Sequence, residues 1–219
     1  MIRLTRRYRS SRHGRRIDFR RTIRESVATG GTPFRIVRRR RRLKPLRLVV
    51  LLDVSGSMNP YSTFFVRFIR GIIGRFRDAD AFVFHTRLVH IGEALRERDP
   101  ARAADRLSLI SVGWAGGTRI GDSLIEFERH HGVRLLNRRT VLIMVSDGYD
   151  TGAPAVLAAA LAAMRRRVRR LIWLNPMLGW DGYAPVAAGM AAALPHVDLF
   201  APAHNLASLA ALEPHFARM

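Results

Sequence analysis

From residue 46 onward, short apolar runs alternate with stretches whose apolar positions recur every three or four residues. LRLVVLL (46–52) is a brief run rich in Leu and Val and predicts a buried strand. In YSTFFVRFIRGIIGRF (61–76), Phe65, Phe68, Ile69 and Ile72 stand at helical spacing. AFVFH (81–85) and RLVHI (87–91) predict two strands of a hairpin. The same reading gives a helix over 119–131 and a fully apolar strand over 140–146 (TVLIMVS). It then gives a helix over 153–168, a strand over 170–175 and a helix over 183–194. A short strand at 197–200 and a closing helix at 205–216 complete the series.

Strands alternating with helices imply right-handed crossovers and a mostly parallel, doubly wound sheet with helices on both faces. The uninterrupted apolar character of the strands fits burial on both faces. Ligands of such sheets bind beyond the carboxyl ends of the strands, at a switch in strand order. DVSGS (53–57) and SDGYD (146–150) both follow predicted strands at that position.

Residues 1–45 differ. They are weakly patterned, carry RRRRR at 38–42 and the turn signal TGGTP at 29–33, and end on Pro45, which discourages a helix from continuing. The predicted organisation is an arginine-rich arm over 1–45 and an α/β domain over 46–219.

Charge sharpens that division. The formal net charge is +21, but residues 1–47 hold 18 basic residues against two acids, and the remainder holds 20 against 15. Lys44 is the only lysine. An arm binding RNA or DNA through phosphates would give steep salt dependence. Its aromatics are only Tyr8, Phe19 and Phe34, too sparse for a base-stacking platform. Contact of the arm with a partner protein or an anionic membrane surface stays open. The chain has no cysteine, so disulfides and thiolate metal sites are excluded, and a reducing compartment fits. It shows no apolar run of membrane-spanning length and no secretory h-region at its N-terminus. The expectation is cytoplasmic, with the inner membrane face as a site of peripheral contact.

The chemistry concentrates at the strand ends. Gly56 permits a tight turn, so Asp53, Ser55 and Ser57 can converge on one point. Asp147 ends another strand, and Thr118 precedes a helix in GWAGGTRIGDS, with Gly116 and Gly117 freeing the loop. Carboxylates and hydroxyls, without His or Cys, form a hard-oxygen set. It suits Mg²⁺, or with less selectivity Mn²⁺ and Ca²⁺, over zinc.

DxSxS followed by a loop threonine and a loop aspartate resembles the metal-ion-dependent adhesion site of von Willebrand factor A domains. Asp53, Ser55, Ser57, Thr118 and Asp147 match its five positions in order. LLDVSGSM, FVFHTRL, WAGGTRIGDSL, SDGYD, LIWLNPMLGWDGYAPVAAGM and PAHNLASL resemble the CoxE-like branch of that superfamily, as do DFRRTIRESVATGG and the arginine run. The resemblance implies a Rossmann-like von Willebrand A fold over 46–219. It also implies a non-catalytic adaptor acting with a MoxR-type AAA+ ATPase to mature a molybdenum hydroxylase such as carbon monoxide dehydrogenase. A partner carboxylate would bind the metal, and Met58, Asn59, Gly117, Arg119 and Tyr149 are the neighbours expected to touch that partner.

Plainer roles compete for single residues. Ser57 or Asn59 could cap the helix at 61, Asp122 fits the first turn of its helix, and Asp150 fits a loop or capping residue before the helix at 153. Ser146 and Gly148 read as loop-shaping. His85 and His90 read as strand histidines, and His130–His131 end a helix. The serines lack the G-x-S-x-G setting of a hydrolase nucleophile, and no Walker A lysine exists. Trp173 reads as packing; Trp180 is undecided between packing and an interaction rim.

Overall fold

A computed structural model describes residues 2–212, except 12, 14, 28–29, 32–34, 77 and 97–116. The chain divides into two units, Met1–Pro45 and Leu46–Met219.

In the first unit, β1 (Ile2–Ser10) and β2 (Arg16–Ile17) both pair antiparallel with β3 (Arg38–Pro45), in the order β1-β3-β2. Between β2 and β3 lies α1 (Phe19–Ser26), opened by Asp18, whose carboxylate accepts from Arg21 N at 3.3 Å. The weak side-chain patterning of this segment does not predict those strands. Backbone pairing makes them, and the side chains of an arginine run leave no period-two signal of it.

In the second unit, six strands pair in the order β6-β5-β4-β7-β8-β9. They are β4 (Arg47–Asp53), β5 (Ala79–Phe84), β6 (Leu88–His90), β7 (Thr140–Val145), β8 (Arg170–Asn175) and β9 (Leu199–Pro202). All neighbours are parallel except β5 and β6, which form the antiparallel hairpin at one edge.

Alternation along the central strands builds two cores. Leu48, Val50 and Leu52 of β4 meet Phe65, Ile69 and Ile73 of α2 (Asn59–Arg75) on one face. Val49 and Leu51 face the other way, onto Ile120, Leu124 and Phe127 of α4 (Ile120–Phe127) and Leu157, Leu161 and Met164 of α5 (Pro154–Arg167). Each fully buried Leu, Ile or Phe contributes about 1.5–3 kcal/mol, so this two-faced burial dominates the stability of the unit. Between β6 and α4 comes the short α3 (Gly92–Arg96). α4 runs on through a π-helical turn (Glu128–Gly132) into a last α-turn (Val133–Leu135). α6 (Ala188–Ala193) and α7 (Leu206–Ala210) follow β8 and β9.

α6 begins later than the spacing predicts, because residues 183–187 run as a loop before it. α7 covers only the first part of the predicted closing helix, the end of which lies outside the described residues.

The order reverses at β4: the chain leaves it to β5 on one side and reaches β7 on the other. The carboxyl ends of β4 and β7 therefore border the crevice where α/β sheets bind ligands. No helix among the described residues is long and apolar enough to cross a membrane.

Candidate metal centre

Asp53 is the last residue of β4 and is fully buried. Its Oδ1 accepts from Ser55 N at 2.9 Å, which turns the chain out of the strand. A 3₁₀ turn (Gly56–Met58) follows, and it sets the Ser55 and Ser57 hydroxyls 3.2 Å apart. Ser55 is buried and Ser57 exposed, so the pair leads from the interior to solvent. Met58 is drawn inward by the same turn and packs fully buried against the α2 core. The expectation that Met58 touches a partner is therefore corrected: it is core. Asn59 opens α2, but its side chain lies outside the described residues.

Asp147 follows β7, again fully buried. Its Oδ1 accepts from Tyr149 N at 3.1 Å, and its Oδ2 has no hydrogen-bond partner. Gly148 at φ +84° makes the reversal, a backbone position that suits glycine. A side chain there would also meet Met190, 2.8 Å from its sulfur. Ser146 links the two carboxylates' loops: its hydroxyl donates to Asp53 Oδ2 at 2.7 Å and accepts from Gly148 N at 3.0 Å.

The electrostatics are lopsided. Burial pushes Asp53 up to about 7, against the lowering effect of its hydrogen bonds from Ser146 and Ser55; the nearby Asp147 pushes it further in the same direction. No basic side chain among the described residues forms an ion pair with Asp53 or Asp147. Among the described residues, two buried acids thus accept hydrogen bonds from hydroxyls and backbone amides only, with one carboxylate oxygen unpartnered. An unpartnered buried carboxylate is costly, and a bound cation is one of the few things that relieves it.

Thr118 is buried, and its carbonyl accepts from both the amide and the hydroxyl of Thr151, each at 2.9 Å. This ties the loop before α4 to the loop after β7. Gly117, exposed, lies so close to Thr151 that an added Cβ would collide with its methyl. Gly116 lies outside the described residues. The structure brings Asp53, Ser55, Ser57 and Ser146 into one hydrogen-bonded group beside Asp147; Thr118 is held through its carbonyl by Thr151, in the loop that follows Asp147. Among the described residues no three His, Cys, Asp or Glu cluster as metal ligands, so any cation here rests on two carboxylates and hydroxyls.

Asp150 holds its own loop but makes no cap on α5. Its carboxylate crosses to α4 and accepts from Ile120 N at 3.1 Å and Gly121 N at 3.3 Å, and from Gly152 N at 2.9 Å. Asp122 does sit in the first turn of α4, paired with Arg119 at 3.4 Å. Arg119 and Tyr149 are exposed beside the centre.

Sequence reasoning missed the support from β8. Trp173 Nε1 donates to Ser146 O at 2.9 Å, and Asn175 Nδ2 donates to Asp147 O at 3.1 Å. The available signal was their place at the carboxyl end of the strand beside β7. Trp180 is exposed and donates to Tyr61 OH at 2.7 Å, joining the loop after β8 to the first turn of α2.

A family model described as "VWA domain containing CoxE-like protein" matches residues 1–209. The chain belongs to this family. Its fold is also that of solved von Willebrand A structures. A von Willebrand factor type A protein from Catenulispora acidiphila is 18% identical with a TM-score of 0.54, covering 81% of this chain and 43% of that one. BatB from Bacteroides thetaiotaomicron is 15% identical with a TM-score of 0.51, covering 79% and 98%. An aerotolerance-related membrane protein from Bacteroides fragilis is 14% identical with a TM-score of 0.50, covering 80% and 100%. A search of curated proteins found no match. This CoxE-like chain spans less than half the length of the Catenulispora protein.

Proposed function

We propose that this CoxE-like protein is a metal-dependent, non-catalytic adaptor that joins a MoxR-type AAA+ ATPase to a molybdenum hydroxylase client, such as carbon monoxide dehydrogenase, during metal-cofactor insertion. The observation that carries the reading is the buried Asp53–Asp147 pair at the switch point, with no ion-paired counter-charge and with Asp147 Oδ2 unpartnered among the described residues. Asp53, Ser55, Ser57, Thr118 and Asp147 would hold Mg²⁺, which supplies a positive position open to an anion.

The chain's own residues set the terms of that recognition. Ser146 and the Ser55 amide fix Asp53, and the Tyr149 amide fixes Asp147. Among the described residues neither carboxylate hydrogen-bonds to a His, Lys or Cys that could act as base or nucleophile. The arrangement therefore favours binding over turnover. Exposed Ser57 and Tyr149 leave the centre open on its outer side, where a partner carboxylate can arrive.

The test is interferometry of the full chain against a purified MoxR-type ATPase. Binding is expected to need Mg²⁺ and to be lost in EDTA. Asp53→Ala, Thr118→Ala and Asp147→Ala should each weaken it by at least about a hundredfold, the scale of one buried charge-assisted contact. Circular dichroism checks that each variant is folded. Undiminished binding in EDTA refutes the reading.

A further inference from the structure

Helix α1 is built inside out. Its buried positions are Thr22 and Ser26, whereas Phe19, Ile23 and, at its end, Val27 are 68%, 63% and 72% exposed. The polar face is satisfied where it is: Thr22 Oγ1 accepts from Val37 N at 3.0 Å, and Ser26 Oγ donates to Ile23 O at 2.8 Å. Phe19, Ile23 and Val27 follow at four-residue steps, so they form one line along the outer face. Together with Ile17 and exposed Ile36 they line a groove of about 380 Å³. A contiguous apolar surface of this kind marks an interaction site more often than an accident of folding.

A second, polar hollow of about 120 Å³ adjoins it and shares Ile36. Arg21, Arg35 and Arg38 line it with one acid, Glu25, whose Oε1 accepts from Arg21 Nε at 3.0 Å. Three arginines against one carboxylate leave the hollow positive.

We propose that this groove and hollow dock an acidic amphipathic helix of a partner protein. The helix's apolar stripe fills the groove and its flanking carboxylates meet the arginines. Charge chooses the occupant. A second copy of the chain carries the same +21 and is repelled. Shape decides between a helix and an anionic bilayer: a flat surface leaves a concave groove unfilled, whereas a ridge of helix side chains enters it. The surface lies wholly within Met1–Pro45 and uses no metal, so it stands apart from the adaptor reading above.

The probe is a fluorescein-labelled helical peptide with Leu at i, i+4 and i+8 and Glu along both flanks, titrated with the full chain in EDTA by fluorescence anisotropy. Saturable binding is expected, and it should be the same with Mg²⁺ present. The peptide with Gln in place of Glu should bind at least about tenfold more weakly. The double variant Phe19→Ser, Ile23→Ser should lose a similar factor; both side chains are exposed, and circular dichroism confirms the fold. Arg35→Ala should weaken the Glu peptide more than the Gln peptide. The proposal is overturned by absent binding, by equal affinity for the Glu and Gln peptides, or by an undiminished double variant. It is equally overturned if vesicles of phosphatidylglycerol and phosphatidylcholine bind the chain while the peptide does not.

Discussion

Asp150→Ala tests how the two ligand loops are kept together. The carboxylate accepts three backbone hydrogen bonds, two from the first turn of α4 and one from Gly152. The Arg119 side chain at the N-cap position makes no capping bond, so Asp150 is the group that serves this helix start. Losing an N-terminal cap costs about 0.5–2 kcal/mol. Asp150 is half-buried, so water recovers part of the loss for the freed amides, and the estimate stays near the middle of that range. Such a cost multiplies the unfolded fraction by roughly 5–30. Urea unfolding followed by circular dichroism should show a midpoint lower by about 0.5 M at unchanged slope. Asp150→Asn keeps one good acceptor and should lose about half as much. Because the same carboxylate bridges the loop of Asp147 to the start of α4 just after Thr118, Mg²⁺ affinity measured by calorimetry should fall about tenfold in Asp150→Ala. A stability change within about 0.5 kcal/mol, the range of an ordinary surface substitution, refutes the cross-loop cap. Full Mg²⁺ affinity in a destabilised variant refutes its role in placing the ligands.

Two other perturbations address the same centre. Mg²⁺ affinity should weaken as pH falls through about 7, because burial holds a proton on Asp53 below that point and the proton competes with the cation; calorimetry at pH 8 and pH 6 reads it, and equal affinities refute it. Gly189→Ala should destabilise the chain by about 1–3 kcal/mol, since the new Cβ would lie 2.7 Å from the carbonyl oxygen of Gly148 and push α6 off the Asp147 loop; a thermal melt at wild-type temperature contradicts that packing.

What was legible in the sequence was whatever burial writes into it. β4 and β7 are covered on both faces, so they read as unbroken apolar runs, and the oxygen-bearing residues after them mark where the strands stop. α2 was legible from Phe65 and Ile69, which pack on one side only. The strands of residues 1–45 were not legible, because paired arginines look like solvated ones. Asp150 was legible as a loop residue, but its reach to α4 was not, because those partners lie about thirty residues earlier in the chain and a cap is ordinarily sought next to its own helix. Met58 was misread because a 3₁₀ turn, not the strand period, sets its direction. Trp173 and Asn175 lie in a stretch that resembles the family, but their support of the Asp147 loop comes through strand adjacency, which the pairing of β7 with β8 reveals.

The pairing of β4 with β7 has a consequence for how the chain matures. Arg47 lies opposite Thr140 and Leu52 opposite Val145, so the two central strands are neighbours in space but distant in sequence. Closing so long a loop costs entropy before any contact repays it, and parallel pairings of this kind form slowly. During synthesis, the half that carries Asp53, Ser55 and Ser57 waits beside an open strand edge until residues 140–147 emerge. Until then, β4 has on that side only unsatisfied amides and carbonyls, the surface on which chains misassociate. The order of strands that brings the two carboxylates together thus also leaves a central strand edge open until late in synthesis.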